Sequence, residues 1–364
     1  MSEECLALTT YFGERDRTPR GLLGDELLEI YGELGLQASV LLRGAEGFGR
    51  LAHLHSDRLL TLSEDLPVVS IAVDSRERIE GALARVLQIK QRGLITLERA
   101  RLFSGEIGRS ALQPAPGEAT KLTIYIGREN RRLRAPLFVT ICELFKRRGL
   151  AGATVLLGVD GTRGGRRSRA RFFGQNAQVP MIIVAVGESE RIAEILPELG
   201  AVISDPLLTV ERVQVCKRDG ELLATPHELR GSDEHGLQLW QKLTIFSSHA
   251  AMHGGRPLHG EIVRRLREAD AAGATSVRGI WGFHGEHAPH GDRFLQIRRH
   301  VPVVTIAIDT PERTARSFPI IDELTREHGL VTSEVVPALS ARSAHANEGG
   351  LRLAGPARGP GSSS

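Results

Sequence analysis

Three stretches of the chain set glycines among charged or imidazole side chains closely enough to do chemistry. The first reads Arg43-Gly-Ala-Glu-Gly-Phe-Gly49, followed by His53, His55, Asp57 and Arg58. The last reads Arg278-Gly-Ile-Trp-Gly-Phe-His-Gly285, followed by Glu286, His287, His290, Asp292 and Arg293. Between them lies Gly158-Val-Asp-Gly-Thr-Arg-Gly-Gly165, followed by Arg166, Arg167, Arg169 and Arg171. Glycine exposes backbone N–H groups, so Gly44, Gly47 and Gly49, and likewise Gly279, Gly282 and Gly285, could cradle an anion beside Arg43, Glu46 and Arg278. The same glycines could instead serve turns that need positive φ. His284, His287 and His290 with Glu286 offer the donor types of a zinc site. The first stretch keeps only two histidines and the middle one none, so solvated loop histidines are expected there and no metal. No Gly-Lys-Ser/Thr follows a glycine loop and no Gly-x-Ser-x-Gly occurs, so neither a phosphate-loop hydrolase nor a nucleophile elbow is supported. No catalytic residue is assigned, and the chain is expected not to be an enzyme.

These stretches occupy the same place in three copies of one unit. Leu8-Thr-Thr-Tyr-Phe-Gly13 recurs as Leu122-Thr-Ile-Tyr-Ile-Gly127 and as Leu243-Thr-Ile-Phe-Ser-Ser248. Leu66-Pro-Val-Val recurs as Val179-Pro-Met-Ile and Val301-Pro-Val-Val, and Gly93-Leu-Ile-Thr as Pro206-Leu-Leu-Thr and Gly329-Leu-Val-Thr. A unit this long is a domain rather than a solenoid repeat. The copies are placed at 5–104, 119–217 and 238–340, with a Gly/Pro/Ser-rich tail, 341–364, expected to be disordered. Copy two, with its Arg-rich loop, is the degenerate one.

Within a copy, apolar spacing alternates between the two periods. Leu23, Leu27, Ile30, Tyr31 and Leu34 form one helical stripe, and Ile79, Leu83 and Val86 another. Gly35 and Gly149 stand where helix C-caps belong, and Ser75 or Thr310 could cap the second helix. Leu6–Phe12, Ser39–Arg43, Pro67–Val73 and Thr96–Phe103 read as strands. The order is βαββαβ, a ferredoxin-like α+β unit with helices on one face of a four-stranded antiparallel sheet. On the third strand, Val69, Ile71 and Val73 (then Ile182, Val184, Val186; then Val304, Ile306, Ile308) suit the helix side. The opposite face carries Ser70 and Ala72, Ile183 and Ala185, Thr305 and Ala307, all uncharged. A sheet face without charge calls for a partner, and three copies in one chain imply an intramolecular trimer closed through that face.

Composition narrows the partners. Of 47 Lys+Arg only five are Lys, and they balance 44 Asp+Glu to a net +3, which makes no general case for nucleic acid or a membrane surface. Aromatics at 4% are too few for stacking platforms, so no nucleic acid is expected. The middle loop, about +4 by its own residues, could meet an acidic or membrane-associated protein. Cys5, Cys142 and Cys216 are odd in number and far apart, which excludes a disulfide scaffold and fits reduced thiols in the cytoplasm. No apolar run reaches about 20 residues, and the N-terminus lacks the pattern of a signal peptide.

At the residues Leu122-Thr-Ile-Tyr-Ile-Gly127, Arg43-Gly-x-x-Gly-Phe-Gly49, Leu66-Pro-Val-Val and Gly93-Leu-Ile-Thr, the chain resembles the PII-like bacterial family known as domain of unknown function 190, over all three copies. The resemblance implies a fold similar to the PII signalling proteins, which bind nucleotides between the subunits of a homotrimer and present a long loop after the second strand to a target. Residues 43–49 and 278–285 match the start of that loop, and 158–165 match it poorly. Gln91-Arg-Gly-Leu-Ile-Thr96 lacks the glycine-rich phosphate loop of true PII proteins, so ATP binding does not follow. The expected function is a non-catalytic PII-like regulator, a pseudo-trimer in one chain, that binds a small ligand (nucleotide or anion) between domains and contacts a target protein through its loops. The alternatives are a ligand-free adaptor and, more distantly, a metal-dependent enzyme using the histidine loop of the third copy.

Overall fold

The computed structural model describes residues 2–49, 55–56, 65–90, 92–105, 107, 117–128, 131–132, 135–170, 179–227, 239–284, 290–291, 301–327, 329–343 and 346–351. Three tandem units of mixed α/β structure, mostly antiparallel in their sheets, carry six helices among these residues. In copy one the strands Ser2–Gly13, Ala38–Arg43, Pro67–Ser75 and Gly93–Ser104 enclose helices α1 (Leu23–Glu33) and α2 (Arg76–Ile89). The first strand pairs antiparallel with the third and fourth, and the second with the third, so the first and third are central. Copy two repeats this with Ala119–Gly127, α3 (Leu137–Arg147), Gly152–Leu157, Pro180–Glu188, α4 (Ser189–Val202) and Leu207–Arg218. Copy three does so with Leu239–Ser248, α5 (Leu258–Glu268), Ala274–Arg278, Pro302–Asp309, α6 (Pro311–Leu324) and Leu330–Ser343.

Local chemistry explains the element ends. Gly35 and Gly149 follow their helices with φ of +62° and +70°, the left-handed conformation that glycine adopts without a Cβ penalty. Ser75 and Thr310 stand at the N-caps of α2 and α6 but make no side-chain cap bond. The preceding aspartates hold the turn into each helix instead: the N–H of Ser75 donates to Asp74 Oδ1 (2.6 Å) and that of Thr310 to Asp309 Oδ1 (2.8 Å).

Two sets of pairings close the copies on one another. The last strands join in a ring: copy two meets copy one through Leu207–Val210 on Arg101–Ser104, copy three through Gln214–Arg218 on Leu330–Ser333, and copy three meets copy one through Ala338–Ala341 on Gly93–Thr96. A second ring comes from short strands just after each second strand. Glu46–Phe48 of copy one adds to Ala274–Ser276 of copy three, Asp160–Arg163 of copy two to Ala38–Leu41 of copy one, and Trp281–His284 of copy three to Gly152–Val155 of copy two.

The third strands face the opposite way to the expectation. Val69, Val73, Ile182, Val186 and Val304 lie in a central core shared by all three copies, with Ile71, Val184 and Ile306 packed against it. The small residues lie under the helices: Ala72 with α1 and α2, Ile183 and Ala185 with α3 and α4, Ala307 with α5 and α6. A helix brings its own Leu, Ile and Phe down onto the sheet, so small strand residues suffice beneath it. Between three sheets no helix contributes, and bulky branched side chains must fill the space. The tail also differs at its start, because Ala346–Gly349 pairs back onto Leu339–Ser343; residues 352–364 lie outside the described ones.

Candidate functional site

The glycine stretches are joints. The N–H of Gly44 donates to Pro67 O (2.7 Å) and that of Ala45 to Ser276 O of copy three (2.8 Å). In copy two Gly158 donates to Pro180 O (2.9 Å) and Val159 to Leu41 O of copy one (2.8 Å); in copy three Gly279 donates to Pro302 O (2.7 Å) and Ile280 to Val155 O of copy two (2.9 Å). A Cβ on Gly44 would stand 2.7 Å from Pro67 Cγ, and one on Gly47 2.7 Å from Ala274 O. Cβ atoms on Gly161 and Gly282 would run into the carbonyls of Ser39 and Ala153. These glycines permit a strand from one copy to lie against the next, and neither Gly44 nor Gly47 has the positive φ of the expected turn. The amides of Gly44 and Gly279 that an anion cradle would use are already bonded.

The remaining expected residues divide. Arg43 donates to Glu14 Oε2 from Nε and Nη2 at 3.1 and 2.8 Å. Glu46 is buried beside Gly260 of α5, where a Cβ would stand 2.7 Å from its Oε2. Gly49 opens onto free space. Arg278 ends its strand. His284 and His290 fall in two short strands, Gly282 opposite His290; their side chains, and all of Gly285 and His287, lie outside the described residues. Copy two is not degenerate in geometry, because its Gly158 and Gly161 do what Gly44 and Gly47 do. The retained Gly-x-x-Gly spacing was the signal.

The three joints differ in chemistry. Between copies two and three Phe138 and Trp281 meet edge to face, centroids 6.2 Å apart. Between copies one and two the contact is ionic. Arg167 donates to Asp160 Oδ2 at 2.7 Å and also pairs with Asp25 of α1, while Arg169 lies 3.2 Å from Asp25 and 3.5 Å from Asp160. Within copy two, Arg163 reaches Asp205 at 2.8 Å. So three of the five loop arginines are paired within the chain rather than free for a partner; Arg166 is exposed and Arg171 lies outside the described residues. Against the ionic joint opens a cleft of about 580 Å³, walled by Phe12, Leu22, Leu41 and Val68 and rimmed by Glu14, Asp25, Arg43, Asp160 and Arg169.

A second charged centre lies among residues that no sequence motif marks. On the last strands Glu98, Glu211 and Glu334 occupy equivalent positions, and on the first strands Lys121 and Lys242 do, with Ala7 in copy one. All five charged side chains are buried where the copies meet. Lys121 Nζ lies 2.8 Å from Glu211, 2.8 Å from Glu334 and 3.5 Å from Glu98. Lys242 Nζ lies 2.6 Å from Glu98 and 2.8 Å from Glu334. The three carboxylates come within 4.8 Å of one another, and the cation they gather is the Lys121 ammonium. Burial pushes the Glu98 carboxyl up, but Lys242 and Lys121 outweigh it and hold it down to about 2. Burial prevails at Glu211, pushed up to about 7 against the pull of Lys121. Burial lowers the Lys121 ammonium, yet Glu211 and Glu334 hold it above its ordinary range.

The chain belongs to the family of domain of unknown function 190, described as "Uncharacterized ACR, COG1993", whose model matches residues 5–102, 119–215 and 240–338. It is similar to a "UPF0166 protein" of Aquifex aeolicus (strain VF5), 36% identical over 98 residues that span 27% of this chain and 90% of that protein. A second match to a protein of that description and organism is 34% identical over 71 residues, 20% of this chain and 74% of the relative. Among solved structures, aspartate kinase from Synechocystis aligns at a TM-score of 0.24 and 10% identity over 93% of this chain and 45% of its own, a likeness too slight to bear on fold or function. No described helix is long and apolar enough to cross a membrane.

Proposed function

We propose that this chain is a non-catalytic, PII-like regulator of the cytoplasm: three ferredoxin-like units closed as an intramolecular pseudo-trimer that reads a small ligand between copies and signals to a target protein through the loops after the second strands. The double ring of inter-copy pairings supports the pseudo-trimer. The observation that carries the ligand reading is the cleft between copy one and the loop of copy two. Its volume is that of a small-molecule site, with apolar walls and a few convergent polar groups. The walls suit the ring of a nucleotide and the guanidiniums of Arg43 and Arg169 suit an anionic group.

The same guanidiniums supply the signal. Arg169 now rests on Asp25 and Asp160, so an anion reaching it competes with the carboxylate that ties the copy-two loop to α1. Binding loosens one contact and makes another, which shifts the loop between two arrangements. About 1–3 kcal/mol of coupling is enough for allosteric control. Thermal-shift measurements on the full chain with ATP, AMP, phosphate and sulfate test this. A saturable hit that Arg169→Ala weakens about tenfold or more supports the regulator. No hit, with an intact fold, favours an adaptor, a reading already encouraged by loop amides that are bonded, those of Gly44, Gly158 and Gly279 within their own copies and those of Ala45, Val159 and Ile280 to the neighbouring copy.

A further inference from the structure

The central charged cluster does not balance. Three carboxylates face two ammoniums, and their side chains are only 6–9% exposed. An uncompensated charge in such a place is costly. The shortfall has a definite origin, because copy one carries Ala7 where its sister copies carry Lys121 and Lys242. Ala7 lines a central cavity of about 80 Å³ together with Glu98, Glu211, Lys121 and Lys242. Thr244, two residues on from Lys242, also lines it, and its buried Oγ1 has no hydrogen-bond partner among the described residues. The three glutamates are unequal. Glu98 and Glu334 each lie within ion-pair distance of both lysines, and Glu211 of Lys121 alone.

We propose that the central cluster binds one exchangeable proton, carried by Glu211 in the place of the missing third lysine, and that this proton links closure of the three copies to pH. The groups facing Glu211 are Lys121 and Tyr125 on the first strand of its own copy, Cys5 of copy one, Glu98 and Glu334 on the other last strands, and Lys242. A carboxyl neutralised here brings the cluster to zero net charge without any added ion. Burial raising Glu211 to about 7 is consistent with this. The sign follows from linkage. Between about 4.5 and 7 the folded chain holds a proton that the unfolded chain has released, so stability falls as pH rises through that window and levels off above it.

The test compares full-length wild type with Glu211→Gln, which keeps the shape and cannot ionise. The ratio of their unfolding constants should change by up to about tenfold per pH unit between about pH 5 and 7, wild type losing ground, and become constant above about pH 8. A difference independent of pH is what a merely structural role would give, and it overturns the proposal. If Glu211→Gln does not fold, infrared difference spectra of wild type decide. A buried un-ionised carboxyl band present near about pH 6 and lost by about pH 9 is expected, and its absence overturns the proposal. Ala7→Lys, which supplies the third ammonium, should abolish that band; its persistence counts against the proposal. Repeating the titration in sodium, potassium and choline chloride separates proton from metal ion. A band that disappears in sodium or potassium alone would mean that a cation, and not the proton, occupies the centre.

Discussion

The placement of the five lysines is the clearest lesson at the scale of single residues. In a chain that uses arginine for nearly all of its positive charge, Lys90, Lys121, Lys217 and Lys242 are buried. Each buried ammonium has its partner: Lys217 lies 2.7 Å from Asp322, and Lys90 donates to Tyr11 O at 2.9 Å. The count of five was legible in the sequence, but its meaning was not, because which charges meet in the interior depends on how three distant strands converge. Burial pushes Lys90 down to about 7. Between about 7 and 10.5 the unfolded chain therefore binds more protons than the folded one, and stability rises with pH. Lys90→Met should accordingly gain on wild type as pH falls through that window, by up to about 1.4 kcal/mol per unit; denaturant titrations at a series of pH values check this. The glycines give a sharper contrast. Gly161→Val, whose side chain must displace Ser39 O, should cost on the order of 2–3 kcal/mol, while Gly49→Ala, in open space, should stay within about 0.5. Equal melting shifts for the two would contradict the joint reading.

At the scale of elements, the alternation along the third strands was readable and its direction was not. A period of two separates Val69, Ile71 and Val73 from Ser70 and Ala72, but says nothing about which set meets a helix. That choice depends on the filler available from the other side, which only the assembled copies reveal. The helical stripe of Leu23, Leu27, Ile30 and Tyr31 is buried as its spacing predicts, since an amphipathic helix has one apolar side to bury. Cys142 lies in the helix-side core of copy two. The face assignment has a measurable consequence. Ala72 and Ala185 are fully covered beneath helices, so Ala72→Arg or Ala185→Arg should cost about 3–5 kcal/mol by burying an unpaired charge. Ala72→Leu should cost about 1–3 kcal/mol by overpacking under α1 and α2. A neutral result for Ala72→Leu in chemical denaturation would place that face elsewhere.

At the scale of the whole molecule, a single chain lets three equivalent positions diverge. One joint is aromatic, one is a set of Arg–Asp pairs, and the central cluster has two lysines instead of three. The repeat in the sequence announced the three units, and the aligned Ala7, Lys121 and Lys242 recorded the asymmetry, but their meeting at one centre needed the closed ring. Copies expressed alone should expose this history. Three copies of 119–217 can pair Lys121 with Glu211 around an axis, whereas three copies of 5–104 gather Glu98 with no ammonium. Analytical ultracentrifugation near neutral pH should find the former associating more strongly, and the reverse order would argue against the charge account. The same divergence confines the ionic cleft to copies one and two. Titration calorimetry of the full chain with the strongest thermal-shift hit tests that most directly: the account predicts one site per chain, weakened about tenfold or more in Arg169→Ala, and three equivalent sites, or one indifferent to Arg169, would contradict it.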